Sequence, residues 1–161
     1  MLLEGVRDIH HRGFVHCDPN PEYILVFPSY QNGSICRLKI IDFGQVRQPR
    51  ERHHMPDPGV STFPGTAVYL SPESIIYGHI NTALDIWSIG CIVLEIITEK
   101  LSWKDQNPMD LAIKIGFLRY LPKILKTMSS TGKDFLMKCL QRDPSKRWTA
   151  DMPLSHPFLL P

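Results

Sequence analysis

Between Thr82 and Lys100 the chain places Ala83, Leu84, Ile86, Trp87, Ile89, Cys91, Ile92, Val93, Leu94, Ile96 and Ile97 on almost every face of a helix. A helix that is apolar all round has to be covered on all sides. It therefore predicts a central rod over 82–100, with the rest of the chain wrapped around it. The 161 residues are enough to build such a wrapping around one core. Ser88 and Glu95 interrupt the most apolar stretch, Ile86 to Ile97, which is too short to cross a bilayer. Charged residues are 21% against 43% hydrophobic, a globular balance that excludes a disordered chain. The formal net charge of +2 offers no footprint for nucleic acid or a membrane surface.

The segments around the rod read as mostly helical. Leu2 to Arg12 has Leu2, Leu3, Val6 and Ile9 at helical spacing, with Gly13 as its stop. Tyr23 to Phe27 and Ile35 to Ile41 are compact β runs about a Pro, Ser and Asn-Gly turn region at 28–34, which predicts a small antiparallel hairpin. Residues 44–70 hold Pro49, Pro56, Pro58 and Pro64 without periodicity and read as a long irregular segment. Ser71 caps a short helix with Pro72 in its first turn. Further helices are expected from Pro108 toward Phe117 with Asn107 as cap, from Thr131 to Leu140, and from Trp148 to Ser155. The fold class is mainly α with a small β-hairpin. Cys17, Cys36, Cys91 and Cys139 form no C-x-x-C pair and read as reduced thiols of an intracellular chain.

Chemistry concentrates in three short motifs: His16-Cys17-Asp18, Asp42-Phe43-Gly44 and Ser71-Pro72-Glu73. With Gly65-Thr66-Ala67-Val68-Tyr69-Leu70, Asp85-Ile86-Trp87-Ser88-Ile89-Gly90-Cys91 and the ending Asp143-Pro144 … Arg147-Trp148 … His156-Pro157-Phe158, they make an ordered set. This set resembles the carboxy-terminal lobe of Ser/Thr protein kinases, in details the plant mitogen-activated protein kinase kinase kinases. The resemblance implies one partial kinase domain over 1–161: catalytic loop 16–23, activation segment 42–73, central helix 82–100 and late helices 108–158. It also implies that the ATP-gripping N-lobe, which such domains place upstream, is absent. The implied activity is ATP-dependent phosphoryl transfer to protein Ser or Thr, with ATP and Mg²⁺ as cofactors. The implied partners are protein substrates or kinase-pathway proteins, with no nucleic acid and no membrane; the implied location is cytoplasmic or nuclear. The oligomeric state stays open.

By the same resemblance, Asp18 accepts the proton of the substrate hydroxyl. Asp42 holds the metal, with Phe43 packed inward and Gly44 letting the loop turn. Leu25 lies on the cofactor side. Thr66 shapes the substrate platform, Glu73 pairs with Arg147, and Asp85 bonds the backbone around His16 and Cys17.

Asp18-Pro19-Asn20-Pro21-Glu22-Tyr23 departs from the D-x-K-P-x-N pattern of the family. Asn20 stands where a lysine steadies transition-state charge, a loss of about 3–4 kcal/mol. Tyr23 stands where an asparagine binds metal, and a protonated phenol is a poor Mg²⁺ ligand. Cys17 replaces an arginine that pairs with a phosphorylated activation loop, so Ser61 or Thr62, if modified, would find no partner there. Impaired catalysis is expected. The alternatives are a non-catalytic interaction module and a degenerate product exposing apolar surface around Leu25 and Phe43. A Cys17–His16 nucleophilic pair is disfavoured, because adjacent residues rarely point at each other. His10, His11, His53 and His54 read as surface histidines.

Overall fold

The computed structural model describes residues 1–28, 36–51, 65–103 and 107–159. The elements in chain order are α1 (Leu2–His11), β1 (Ile24–Pro28), β2 (Cys36–Ile40), α2 (Pro72–Tyr77), α3 (Thr82–Thr98), α4 (Pro108–Ala112) and α5 (Ser130–Cys139). The described residues are mainly helical with one two-stranded antiparallel sheet, in which Ile24 faces Ile40 and Pro28 faces Cys36. Among the described residues no helix is long and apolar enough to cross a membrane.

The apolar helix is the axis of the fold. Ile86, Trp87, Ile89, Cys91, Ile92 and Leu94 of α3 are all essentially inaccessible. They pack with Leu3 and Val6 of α1, Leu111 and Ile115 around α4, and Phe135, Leu136 and Cys139 of α5 in one continuous core. Gly90 permits the closest approach: a Cβ there would meet Leu140 Cδ2 at 2.9 Å and Cys139 Cβ at 3.0 Å. Trp87 and Trp103 are buried, and Trp148 is half-buried against the same core.

Local capping chemistry fixes the other starts. Ser71 Oγ accepts from Ser74 N–H at 3.4 Å to open α2, and Gly78 closes that helix in the left-handed region. Asn107 Oδ1 accepts from Met109 and Asp110 N–H at 2.9 and 3.4 Å to open α4. Beyond Ala112 that helix widens into a π-turn over Ile113–Phe117. A Cβ on Gly116 would come within 3.0 Å of Ile75 Cγ2, so the widened turn is packed hard against α2.

Two expectations are corrected here. The helix over Trp148 to Ser155 is a short 3₁₀ turn, Met152–Ser155. Pro153 removes a backbone donor inside it, and Trp148 and Phe158 each leave the path to stack on Phe135, at ring separations of 5.7 and 5.0 Å. The first strand starts one residue late, because Pro21–Tyr23 forms a 3₁₀ turn capped by Asn20. The turn region about Asn32-Gly33, His53, His54, Ser61 and Thr62 lies outside the described residues.

Candidate functional site

The 15–18 segment is suspended from the central helix by one carboxylate. Asp85 is fully buried in the first turn of α3; its Oδ2 accepts from His16 N–H and its Oδ1 from Cys17 N–H, each at 2.9 Å. On its other flank Val15 exchanges both backbone bonds with Arg47 at 2.9 and 3.0 Å. These bonds hold Cys17 at φ 69, a left-handed backbone that costs a non-glycine residue about 1–2 kcal/mol. The Cys17 thiol is pushed up to about 12, first by burial and then by the charge of Asp85, so it is no nucleophile. Its Sγ lies 3.5 Å from the Val15 carbonyl rather than against the His16 ring.

Asp85 has a further partner. His10 Nε2 lies 2.7 Å from Asp85 Oδ2, and the His10 side chain is only 7% exposed. His10 is therefore not a surface histidine. Leu3, Val6 and His10 share one helical stripe, which was the available signal. His11 does lie at the surface, 3.2 Å from Asp151.

Asp18 sits in a small polar knot. Its Oδ1 accepts from Thr66 N–H at 2.8 Å and from Asn20 Nδ2 at 3.3 Å. Asn20 Nδ2 also lies 3.2 Å from Thr66 Oγ1, while its Oδ1 accepts from Glu22 N–H at 2.9 Å. Asn20 thus ties residue 18 to residue 66 and caps the next turn at once. Gly65, at φ 93, allows the two loops to meet, since a Cβ there would come within 3.3 Å of the Cys17 carbonyl.

Asp42 arrives at the end of β2, at φ 59. The left-handed residue of this loop is Asp42, whereas Gly44 was expected to make the turn. What Gly44 provides is closeness: its N–H donates to Asp42 Oδ1 at 3.0 Å, and a Cβ would crowd that same oxygen. Ile41 N–H donates to the Tyr23 carbonyl at 2.9 Å, one step beyond the Ile24–Ile40 pair, so residue 23 stands beside the strand end that delivers Asp42. The Tyr23 phenol is held above its ordinary range by a hydrogen bond to the Asp42 carboxylate and then by its charge. Phe43 is 55% exposed rather than packed inward, and its ring meets His16 at 5.4 Å. Leu25 is likewise exposed on the sheet.

Glu73 and Arg147, both buried, form a two-toothed ion pair at 2.6 and 2.9 Å that ties α2 to the chain after α5. Arg142 was not anticipated; it donates to the carbonyls of Ile115 and Gly116 at 2.5 and 2.8 Å and closes the π-turn. Tyr69 donates to Glu95 at 2.6 Å, anchoring the segment after Thr66 to the rod.

The magnesium site implied by the resemblance needs two oxygen donors facing one point. Asp42 supplies one. At the second position stands Tyr23, a phenol that keeps its proton beside the charge of Asp42 and is a poor ligand for a hard cation. Asp18 Oδ1 is taken up by Thr66 and Asn20. The residues present do not fit that ion.

The comparisons agree with the geometry. The family model described as protein kinase domain matches residues 1–159. The chain is 39% identical to mitogen-activated protein kinase kinase kinase 20 of Arabidopsis thaliana, over 98% of this chain and 45% of that protein. It is 38% identical to mitogen-activated protein kinase kinase kinase YODA of Arabidopsis thaliana, over 98% of this chain and 17% of that protein. It is also 38% identical to human mitogen-activated protein kinase kinase kinase 4, over 96% of this chain and 10% of that protein. The chain thus spans less than half the length of these relatives. With the family model matching residues 1–159, the chain belongs to the protein kinase domain family.

Proposed function

We propose that this chain is the carboxy-terminal lobe of a Ser/Thr protein kinase that keeps the substrate side of the site and has lost the phosphate side. The observation that carries the reading is the knot of Asp18, Asn20 and Thr66. Thr66 N–H holds Asp18 at 2.8 Å, the arrangement a carboxylate needs to take the proton of an approaching hydroxyl. Asn20 takes part in the same knot as a neutral amide. It orients Asp18 and contributes no positive charge toward a transferring phosphoryl group. Removing one such contact typically costs about 3–4 kcal/mol, or a hundred- to thousand-fold in rate.

The test is phosphoryl transfer from labelled ATP to a Ser/Thr peptide pool, by this chain joined behind the ATP-binding half of a relative. The expected rate lies at least about a hundredfold below that of the parent relative. Asn20→Lys is expected to raise it, and Asp18→Asn to abolish what remains. A chimera as fast as the parent sinks the proposal.

A second reading, a lobe that binds protein partners without transferring phosphate, draws on a separate observation. Leu25 and Phe27 on one face of β1, Val26 on the other and Phe43 after β2 are exposed apolar side chains, while the ion pair and helical core are intact. Retention of protein partners by an Asp18→Asn chain, undiminished from wild type, favours this reading.

A further inference from the structure

Between α2 and the π-turn lies a cavity of about 460 Å³ to which Asp18, Asn20 and Thr66 contribute nothing. It is lined by Ile76 and Tyr77 from α2, by Phe117 from the π-turn, and by Arg119 and Arg142. Its walls are pinned. The Arg142 guanidinium donates to the Ile115 and Gly116 carbonyls at 2.5 and 2.8 Å. On either side of Arg119, Leu118 N–H returns to the Ile113 carbonyl and Tyr120 N–H to the Lys114 carbonyl, each at 2.9 Å. Walls ordered in advance lose less entropy when a ligand arrives.

The charge inside is one-sided. Glu73 reaches the cavity, but both its oxygens are taken by Arg147. Asp143 reaches it too, and its Oδ1 accepts from the Ser145 N–H and hydroxyl at 2.9 and 2.6 Å. Among the described residues, neither Arg119 nor Arg142 forms an ion pair with a carboxylate. Burial first and the charge of Arg119 second hold Arg142 below its ordinary range, as two cations sharing one recess require. Beside them Tyr77 is 59% and Phe117 67% exposed. A lone carboxylate would fill only part of the space, and the aromatic rim suits an apolar neighbour.

We infer that this cavity docks an acidic, apolar segment of a protein partner: a carboxylate side chain seated at Arg119 and Arg142, with an aromatic or aliphatic residue beside it on Tyr77 and Phe117. Docking here is independent of whether Asp18 supports transfer.

The experiment selects a phage-displayed library of random dodecapeptides on the full chain, then measures the enriched sequences as labelled synthetic peptides by fluorescence anisotropy. Enriched peptides are expected to carry Asp or Glu next to an aromatic or aliphatic residue. Arg119→Glu is expected to weaken their binding at least about tenfold, since it sets like charge against them. Phe117→Ser is expected to weaken it about tenfold by removing the apolar seat. Both positions are exposed, so both variants are expected to melt with wild type, and either one that does so carries the test. No enrichment, or enrichment of neutral or basic peptides, would overturn the inference. So would acidic peptides that bind the folded variants as tightly as wild type. A dimer of this chain that Arg119→Glu dissolves would assign the cavity to a second copy and overturn the peptide partner. Slow or absent phosphoryl transfer, by contrast, leaves the docking cavity untouched.

Discussion

Arg147 commits its whole guanidinium: two bonds to Glu73, one to the Ala83 carbonyl at 2.8 Å and one to the Gln141 carbonyl at 2.8 Å, with its plane near the Trp87 ring. No water can replace Glu73 in so closed a place. Glu73→Gln is expected to lower unfolding stability by about 3–5 kcal/mol in a urea titration, because it strands a buried cation. Arg147→Lys is expected to fall nearly as far, since an ammonium has no planar fork for these acceptors. The thiols belong to the same scale. Burial pushes Cys17, Cys91 and Cys139 up to about 12, while Cys36 is half-buried on the sheet. In the native chain an alkylating reagent is therefore expected to label Cys36 first, as mass spectrometry of the digested protein would show. The sign of the pH effect follows. The folded state favours the protonated thiols, so their contribution is complete below the unfolded value of 9.0 and is lost as pH rises toward about 12. Tyr69, raised by burial and by Glu95, adds to the same slope. Stability measured by urea titration is expected to fall steadily above pH 9; a flat profile would contradict these burials.

Among the elements, α3 makes the sharpest claim. Gly90 lies in its middle, where alanine ordinarily gains up to about 1 kcal/mol. Here the new methyl would meet Cys139 Cβ and Leu140 Cγ at 3.0 Å, neither of them the free end of a side chain. Overpacking of this kind costs about 1–3 kcal/mol, so Gly90→Ala is expected to be net destabilising in thermal melts, against its helix propensity. The rod was legible in the sequence over Leu84 to Leu94, where burial marks nearly every position; Ile96 and Ile97, expected to be covered as well, are exposed because the helix end runs past the packed elements. Ser71 and Asn107 were legible because a cap bonds backbone two or three residues away. Legibility failed where the partner is distant. His10 reads as a surface residue until α1 is laid on α3 and Asp85, 75 positions on, receives its ring. Trp148 to Ser155 reads as a helix until Phe135 collects Trp148 and Phe158 from either side. In the site, the family resemblance supplied the distant partners that no local pattern carries, Arg147 for Glu73 and the His16 and Cys17 backbone for Asp85. That Asn20 would knit Asp18 to Thr66 depends on the loop after Gly65 folding back over 48 positions, which no local pattern encodes.

At the level of the whole molecule, the polar bonds and the apolar surface are unevenly shared. Away from the sheet the core itself is closed: residues 86–92 of the rod are covered, Arg147 and Asp85 are fully bonded, and Phe135 of α5 is buried in an aromatic cluster, although Ile96, Phe117, Leu118 and Tyr120 stand exposed there too. The sheet side is open. Val26 is 65% exposed and Phe27 40% exposed, with Lys39 over the Phe27 ring, and Phe43 after β2 is exposed as well. A two-stranded sheet of this kind also presents unpaired backbone along its edges, a template for pairing with another chain. With a formal charge of only +2, little long-range repulsion keeps copies apart. Self-association through this face should then be separable from folding. Val26→Lys places a charge on the exposed face and touches no buried group, so it is expected to shift the unfolding midpoint little, within about 0.5 kcal/mol. The same change is expected to raise the concentration at which static light scattering first reports aggregation. A control away from the sheet, Met137→Lys on the exposed surface of α5, is expected to leave that threshold where it is. Equal effects from both substitutions would mean that added charge alone governs association, and that the open sheet face has no special part in it.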